Sequence, residues 1–186
     1  EKNLTEAEKW YNLAAEKKHA GAQYELGGMY EIGNGVEKNL TEAAKWYTLA
    51  ANQGYASAQY FLGNMYHAGM GVTQNDIEAA KWWGLAADQG NEYAQYYLGN
   101  AYETGEGVEQ NYDKAAQLYS LSVNKECSDA AYKLGKMYEE GRGVEQNYDE
   151  ALRLYQLAKK WVLRMEGVHI DTELYKIKNL IANQKQ

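Results

Sequence analysis

The stretch "YEIGNGVEKN", Tyr30 to Asn39, sets two glycines one residue apart ahead of a candidate helix start. Backbone N–H groups at such a place can cradle an anion, so a phosphate loop is the first reading to test. The motif recurs as "YHAGMGV" (66 to 72), "YETGEGV" (102 to 108) and "YEEGRGV" (138 to 144), with the tyrosines at 30, 66, 102 and 138. A phosphate loop needs one copy. A fixed 36-residue period without insertion points to an array of stacked units, and the glycine pairs become structural corners: Gly33 with Gly35, Gly69 with Gly71, Gly105 with Gly107, and Gly141 with Gly143.

Around each corner the sequence carries two helical patterns. The first runs through "AQYELGGMYE" (22 to 31), "AQYFLGNMYH" (58 to 67), "AQYYLGNAYE" (94 to 103) and "AAYKLGKMYE" (130 to 139), with Ala, Leu and Tyr at i, i+4 and i+8. Gly27, Gly63, Gly99 and Gly135 sit inside these helices, where glycine costs about 1 kcal/mol relative to Ala. Close approach of a partner helix is the compensating reason.

The second pattern opens at Asn39, Asn75, Asn111 and Asn147, and Asn3 occupies the same register. Glu42, Glu78 and Glu150 follow three residues later, a capping-box-like start that Lys114 breaks. Ala43, Trp46, Tyr47, Ala50 and Ala51 recur as Ala79, Trp82, Trp83, Ala86 and Ala87, alternating small and large residues that can interlock with the notched first helix. Gly54 and Gly90 are placed as left-handed C-caps. Glu126 and Val162 replace them later, so the last second helix is expected to run past Trp161 toward Gly167. "IDTELYKIKNLIANQ" (170 to 184) then puts Leu174, Ile177, Leu180 and Ile181 on one face as a terminal cap.

The expected organisation is a single solenoid domain over 1–186. It comprises a second helix of a truncated leading repeat (1–18), repeats at 19–54, 55–90, 91–126 and 127–162, and a capping helix in 163–186. Because "EKNLTEAEKWY" at 1 to 11 repeats "EKNLTEAAKWY" at 37 to 47, the chain reads as an excised fragment.

Composition narrows the function classes. A net charge of −7 and a pI near 5.1 argue against a nucleic-acid binder, which needs a basic stripe. Residues 159–186 hold six basic groups against three acidic ones, too sparse for a polybasic anchor, and no run approaches a membrane span. Cys127 stands alone, so no intrachain disulfide is possible. His19, His67 and His169 fall in unrelated registers without His-Glu-x-x-His or Cys-x-x-Cys, so neither metal nor cofactor is expected. The acidic residues read as solvated helix faces and caps, leaving no catalytic pair to single out. Asn3-Leu4-Thr5 and Asn39-Leu40-Thr41 match glycosylation sequons, but one cap copied twice explains both.

The pattern Ala-x-x-x-Leu-Gly-x-x-Tyr-x-x-Gly-x-Gly-Val, then Asn-x-x-x-Ala-x-x-Trp/Leu-Tyr/Trp-x-x-Ala-Ala, resembles the Sel-one-like repeat, a relative of the tetratricopeptide repeat. Glu37, Thr73, Glu109 and Glu145 stand where that family often has Pro. The resemblance implies an all-α, right-handed α/α solenoid of antiparallel helix pairs that acts as a non-enzymatic adaptor, expected here as a monomer binding a protein or peptide. It also implies a bacterial periplasmic or secreted setting, without fixing the compartment. A β-lactam-hydrolysing or penicillin-binding role is the alternative, although the members linked to it carry paired cysteines and no Ser-x-x-Lys occurs here.

Comparing units within the chain separates framework from variable positions. Four first-helix registers vary: Gly21/Ser57/Tyr93/Asp129, Glu25/Phe61/Tyr97/Lys133, Gly28/Asn64/Asn100/Lys136 and Ile32/Ala68/Thr104/Glu140. Their spacing makes one stripe, which the resemblance puts on the concave side. Phe61, which the pattern leaves exposed, Tyr93 and Tyr97 are candidate apolar anchors, Asn64 and Asn100 candidate clamps on a peptide backbone, and Lys133 and Lys136 candidate partners for an acidic group. Asn34, Met70, Glu106 and Arg142, between the corner glycines, are expected to project from a rim.

Overall fold

The computed structural model describes residues 2–162 and 170–184. They form ten α-helices: α1 (Lys2–Glu16), α2 (Ala20–Ile32), α3 (Leu40–Asn52), α4 (Ala56–Ala68), α5 (Asp76–Asp88), α6 (Glu92–Thr104), α7 (Tyr112–Val123), α8 (Ser128–Glu140), α9 (Tyr148–Val162) and α10 (Asp171–Gln184). Packing groups the chain into two compact units, residues 1–94 and 95–186. Within them each helix packs on its neighbours in sequence, as α2 does on α1 and α3, and α9 on α8 and α10.

Each corner is built from local chemistry. Gly33, Gly69 and Gly141 close the first helices in the left-handed region, each with its N–H bonded to the carbonyl of the Met four residues back. Gly105 does the same onto Ala101, which stands where the other repeats have Met. The chain then returns so that Asn39, Asn75, Asn111 and Asn147 donate their N–H to the carbonyls of Tyr30, Tyr66, Tyr102 and Tyr138 at 2.8–2.9 Å. Asn39 Oδ1 in turn accepts from the N–H of Thr41 and Glu42, Asn75 repeats the pair with Ile77 and Glu78, and Asn111 and Asn147 accept from the N–H of Lys114 and Glu150. The reciprocal half of a capping box does not form. Glu42, Glu78 and Glu150 pair forward with Lys45, Lys81 and Arg153 because the Asn N–H is already taken by the tyrosine carbonyl. Asn3 does not stand before a helix as the other four do: it lies inside α1.

The second glycine of every corner is left-handed, and at Gly71 and Gly143 a steric reason is added. A Cβ on Gly71 would stand 2.1 Å from Leu40 O, and one on Gly143 2.3 Å from Tyr112 O, so these two corners press on the start of the preceding second helix. Gly107, with φ of +73°, and Gly35, with +83°, are left-handed as well, and the chain at Gly107 must turn toward the Asn111 cap. The uniform corner read from the sequence is therefore uniform in backbone shape, while the close approach that adds a steric reason is seen at Gly71 and Gly143. Met70 packs into the core of its unit, and Arg142 turns back to Glu140 and the Tyr112 ring, so these two do not project from a rim.

The helix-internal glycines are notches. A Cβ at Gly27 would meet the Tyr47 ring at 2.7 Å, at Gly63 the Trp83 indole at 2.5 Å, and at Gly99 and Gly135 the rings of Tyr119 and Tyr155 at 2.8 Å. The first-helix core is Ala22, Leu26 and Met29, repeated as Ala58/Leu62/Met65 and Ala130/Leu134/Met137. The expected i+8 tyrosine is only half-buried, because Tyr30 lies between two successive cores and packs on both. Trp46 likewise reaches the core of the preceding pair. A fully buried Leu such as Leu26 or Leu62 contributes roughly 1.5–3 kcal/mol.

A buried polar ladder runs through unit 1. Gln23 Nε2 donates to Ala15 O (3.1 Å) and its Oε1 accepts from Gln53 Nε2 (2.6 Å); Gln59 repeats this with Ala51 O and Gln89. It satisfies carbonyls near second-helix ends that the burial removes from water. Lys18 and Glu126 adopt positive φ in the register of Gly54 and Gly90, so the turn forms there without glycine. In unit 2, α10 buries Ile170, Leu174 and Ile177 against α9, with Leu180 and Ile181 at the edge, and Lys159 pairs with Asp171. The expected run of α9 toward Gly167 reaches Val162 and beyond that lies outside the described residues.

Candidate functional site

The stripe begins on helices already fixed by caps and notches, so its side chains start from rigid backbone. In unit 1 aromatic residues of α2, of α4 and its N-cap, and of the start of α6 form a track. Tyr24 lies 5.2 Å from Tyr55 and 5.8 Å from Phe61, Phe61 lies 5.1 Å from Tyr60, and Tyr60 lies 5.8 Å from Tyr93. Offset and tilted pairs at these spacings attract one another beyond the area they bury. Tyr93 is 51% exposed. Phe61 is half-buried instead of exposed: its ring stacks on Tyr47 at 5.5 Å, so a packed aromatic floor accounts for it.

The two asparagines of the stripe have framework duties. Asn64 Oδ1 accepts from Trp83 Nε1 at 2.9 Å. Asn100 Oδ1 lies 2.6 Å from the Tyr119 hydroxyl, which also reaches Glu103 Oε2 at 2.7 Å. A phenol has one proton to give, so the amide oxygen and the carboxylate compete for it as acceptors. The Asn100 side chain is also hydrogen-bonded to the Tyr96 hydroxyl, so both asparagines are tied into the packing behind the stripe.

Behind the stripe lies a set of contacts that the sequence reading missed. Tyr47 donates to Glu31 (2.6 Å), Tyr119 to Glu103 (2.7 Å) and Tyr155 to Glu139 (2.7 Å), each pair sixteen residues apart. In the one repeat where Trp83 replaces the tyrosine, His67 replaces the acid, stands 5.4 Å from the indole and bonds Asp76. Covariation of the two registers within this chain was the available signal. These acids are therefore not solvated faces: Glu139 is 7% exposed.

Charge completes the arrangement in unit 2. Lys133 Nζ meets Glu103 Oε2 at 2.9 Å, so its acidic partner is already present in the chain, and Arg142 stands 3.9 Å from the same carboxylate. Burial alone would raise Glu103, but the Tyr119 hydroxyl, the Lys133 ammonium and Arg142 outweigh it and hold the carboxyl below the usual range. Glu139 follows the same logic: burial opposes ionisation, while Lys176 of α10, Tyr155 and the nearby charge of Lys136 depress its pKa. Burial, then the facing carboxylates, push the Tyr47, Tyr119 and Tyr155 hydroxyls well above the ordinary phenol value. Tyr97 sits half-buried beside Tyr96, with ring centres 5.3 Å apart. Among the described residues no group of three His, Cys, Asp or Glu is placed to hold a metal ion, and no helix is long and apolar enough to cross a membrane.

A family model described as the Sel1 repeat matches residues 1–19, 20–55, 56–91, 92–126 and 128–160. Among solved structures, a protective antigen of uropathogenic Escherichia coli that displays an SLR fold is 38% identical, with a TM-score of 0.81 over 84% of this chain and 33% of its own. A Sel1 repeat protein from Oxalobacter formigenes is 36% identical, with a TM-score of 0.78 over 84% of this chain and 62% of its own. An immunity protein from Pseudomonas aeruginosa is 28% identical, with a TM-score of 0.52 over 83% of this chain and 57% of its own. This chain thus spans a third of the first relative and under two thirds of the second. A search of curated proteins returns no match. Five matched units and ten helices in register make this an all-α helical-repeat solenoid, and the chain belongs to the Sel1 repeat family, whose members commonly serve as protein-interaction scaffolds.

Proposed function

We propose that the chain is a non-enzymatic scaffold that binds an extended segment of a partner protein along its first-helix stripe. The observation that carries this reading is the aromatic track of unit 1. It runs from Tyr55 through Tyr24, Phe61 and Tyr60 to Tyr93 on rigid backbone, with 51% of Tyr93 left to solvent. Aromatic surface of this kind, with amide groups beside it, suits peptide recognition in a groove. Tyr97, Asn100, Lys133 and Lys136 extend the stripe's chemistry in unit 2, where Lys133 acts through its pair with Glu103. The corner glycines, Gly107 among them, serve this reading as framework and contribute no side chain to the stripe. The scaffold works as a monomer and takes no nucleic acid, in keeping with its net charge of −7.

Asn64→Ala is a poor test, because it leaves the Trp83 N–H without its acceptor. Tyr93 is the better handle. A photo-crosslinking residue at position 93 is expected to capture a partner that Tyr93→Ser loses, while the same crosslinker at Leu49, 46% exposed on the second-helix side, captures none. Equal capture from both positions would remove the stripe from consideration.

A further inference from the structure

At the start of unit 1, α1 and the first turns of α2 border an open groove of about 530 Å3 whose walls include Trp10, Tyr11, His19, Gly21, Glu25 and Tyr55. Trp10 is 67% exposed, Tyr11 and Tyr55 each 36%. Three aromatic side chains and one carboxylate therefore line the same groove. Among the described residues no Lys or Arg forms an ion pair with Glu25. His19 is turned to its own helix start, where its Nδ1 accepts from the Ala22 N–H at 3.2 Å. Gly21 keeps the floor open where the later repeats carry Ser57, Tyr93 and Asp129.

We infer that this groove seats a cationic side chain, the guanidinium or ammonium of an arginine or lysine in the segment that the stripe binds. The inference rests on the scaffold reading above and names the chemistry of its partner. A cation lying over the ring faces is attracted by their quadrupoles, and a guanidinium can stack on Trp or Tyr while its edge donates to a carboxylate. Charge complementarity points the same way. Residues 1–94 carry twelve carboxylates against seven lysines and no arginine. Within the stripe of this unit Glu25 is the charged member, whereas in unit 2 the same register is Lys133, already paired with Glu103. The aromatic track leads away from the groove through Tyr55 and Tyr24, so one extended segment can place its cation beside Glu25 and lay its backbone along the rings.

The test titrates the pentapeptide acetyl-Gly-Ala-Arg-Ala-Gly-amide, and its analogue with neutral citrulline for arginine, into the whole chain. The readout is the 1H–15N resonance of the Trp10 indole, assigned by its loss in Trp10→Phe. The arginine peptide is expected to shift that resonance saturably and to bind roughly tenfold more tightly than the citrulline peptide. Glu25→Gln, with an unchanged circular-dichroism spectrum, is expected to erase the preference. Equal binding of both peptides, a preference that survives Glu25→Gln, or no shift at millimolar peptide overturns the cation seat. Concentration-dependent self-association that Trp10→Ala abolishes would overturn it in favour of a second copy on α1. In any of these cases, continued crosslinking from position 93 leaves the scaffold reading standing; loss of that crosslinking fails the scaffold reading separately.

Discussion

At the scale of the residue, glycine has three separate reasons to be where it is, and each predicts a different cost of adding one methyl group. Gly54 has φ of +85° and nothing within 4 Å of a built Cβ, so Gly54→Ala carries only the left-handed penalty of about 1–2 kcal/mol. Gly71 has φ of +71° and would drive its Cβ to 2.1 Å from a backbone oxygen, which cannot swing aside. Gly71→Ala is therefore expected to cost at least about 2 kcal/mol more than Gly54→Ala, adding overpacking to strain. Gly99→Ala meets the Tyr119 ring at 2.8 Å while gaining about 1 kcal/mol of helix propensity, and should fall between the two. Urea midpoints for the three variants give the ranking; Gly54→Ala emerging as the most damaging would refute the contact assignment.

At the scale of the element, what the sequence discloses depends on the reach of each interaction. Asn39, Asn75, Asn111 and Asn147 were legible because a cap is chosen within three residues of itself, and Asn75→Ala should cost about 1 kcal/mol in a thermal or urea melt. Asn3 shows the limit, since the same letters there lie inside a helix. The notches were legible in kind, because a costly glycine repeated in one register demands a neighbour. Their partners Tyr47, Trp83, Tyr119 and Tyr155 come from the returning helix. The Tyr–Glu pairs and the Lys133–Glu103 bridge were not legible, since they join different helices and successive repeats through side-chain reach that spacing along one helix does not encode. The same distance hid the stacking of Phe61 on Tyr47, which leaves half-buried a residue that the sequence reading has exposed. The terminal helix was legible as an apolar face, and Ile177, fully buried there, tests its worth. Ile177→Ala should cost about 2–5 kcal/mol and lower amide-exchange protection in α9 well before it does so in α3.

At the scale of the whole molecule, the buried Tyr–Glu pairs make stability depend on pH from both sides. Glu103 and Glu139 have folded pKa values below their unfolded value of about 4.3, so the stability they contribute is complete above that value and is lost as pH falls through the folded pKa. The three buried tyrosines have the opposite sign. Their folded pKa values lie above the unfolded value of about 10, so the unfolded chain gives up these protons first and stability falls as pH rises past 10. A plateau between roughly pH 5 and 9 is expected, bounded by limbs that belong to different atoms of the same hydrogen bonds. Tyr119→Phe separates them. It deletes a bond to a carboxylate, costing about 1.5–3 kcal/mol on the plateau, and removes that residue's share of the alkaline limb. The acid limb should shrink but persist, because Lys133 still holds Glu103 and the Tyr155–Glu139–Lys176 set is untouched. Urea unfolding of both proteins from pH 3 to 11 measures all of this, and an alkaline limb of the same size in Tyr119→Phe would show that the buried phenols do not carry it.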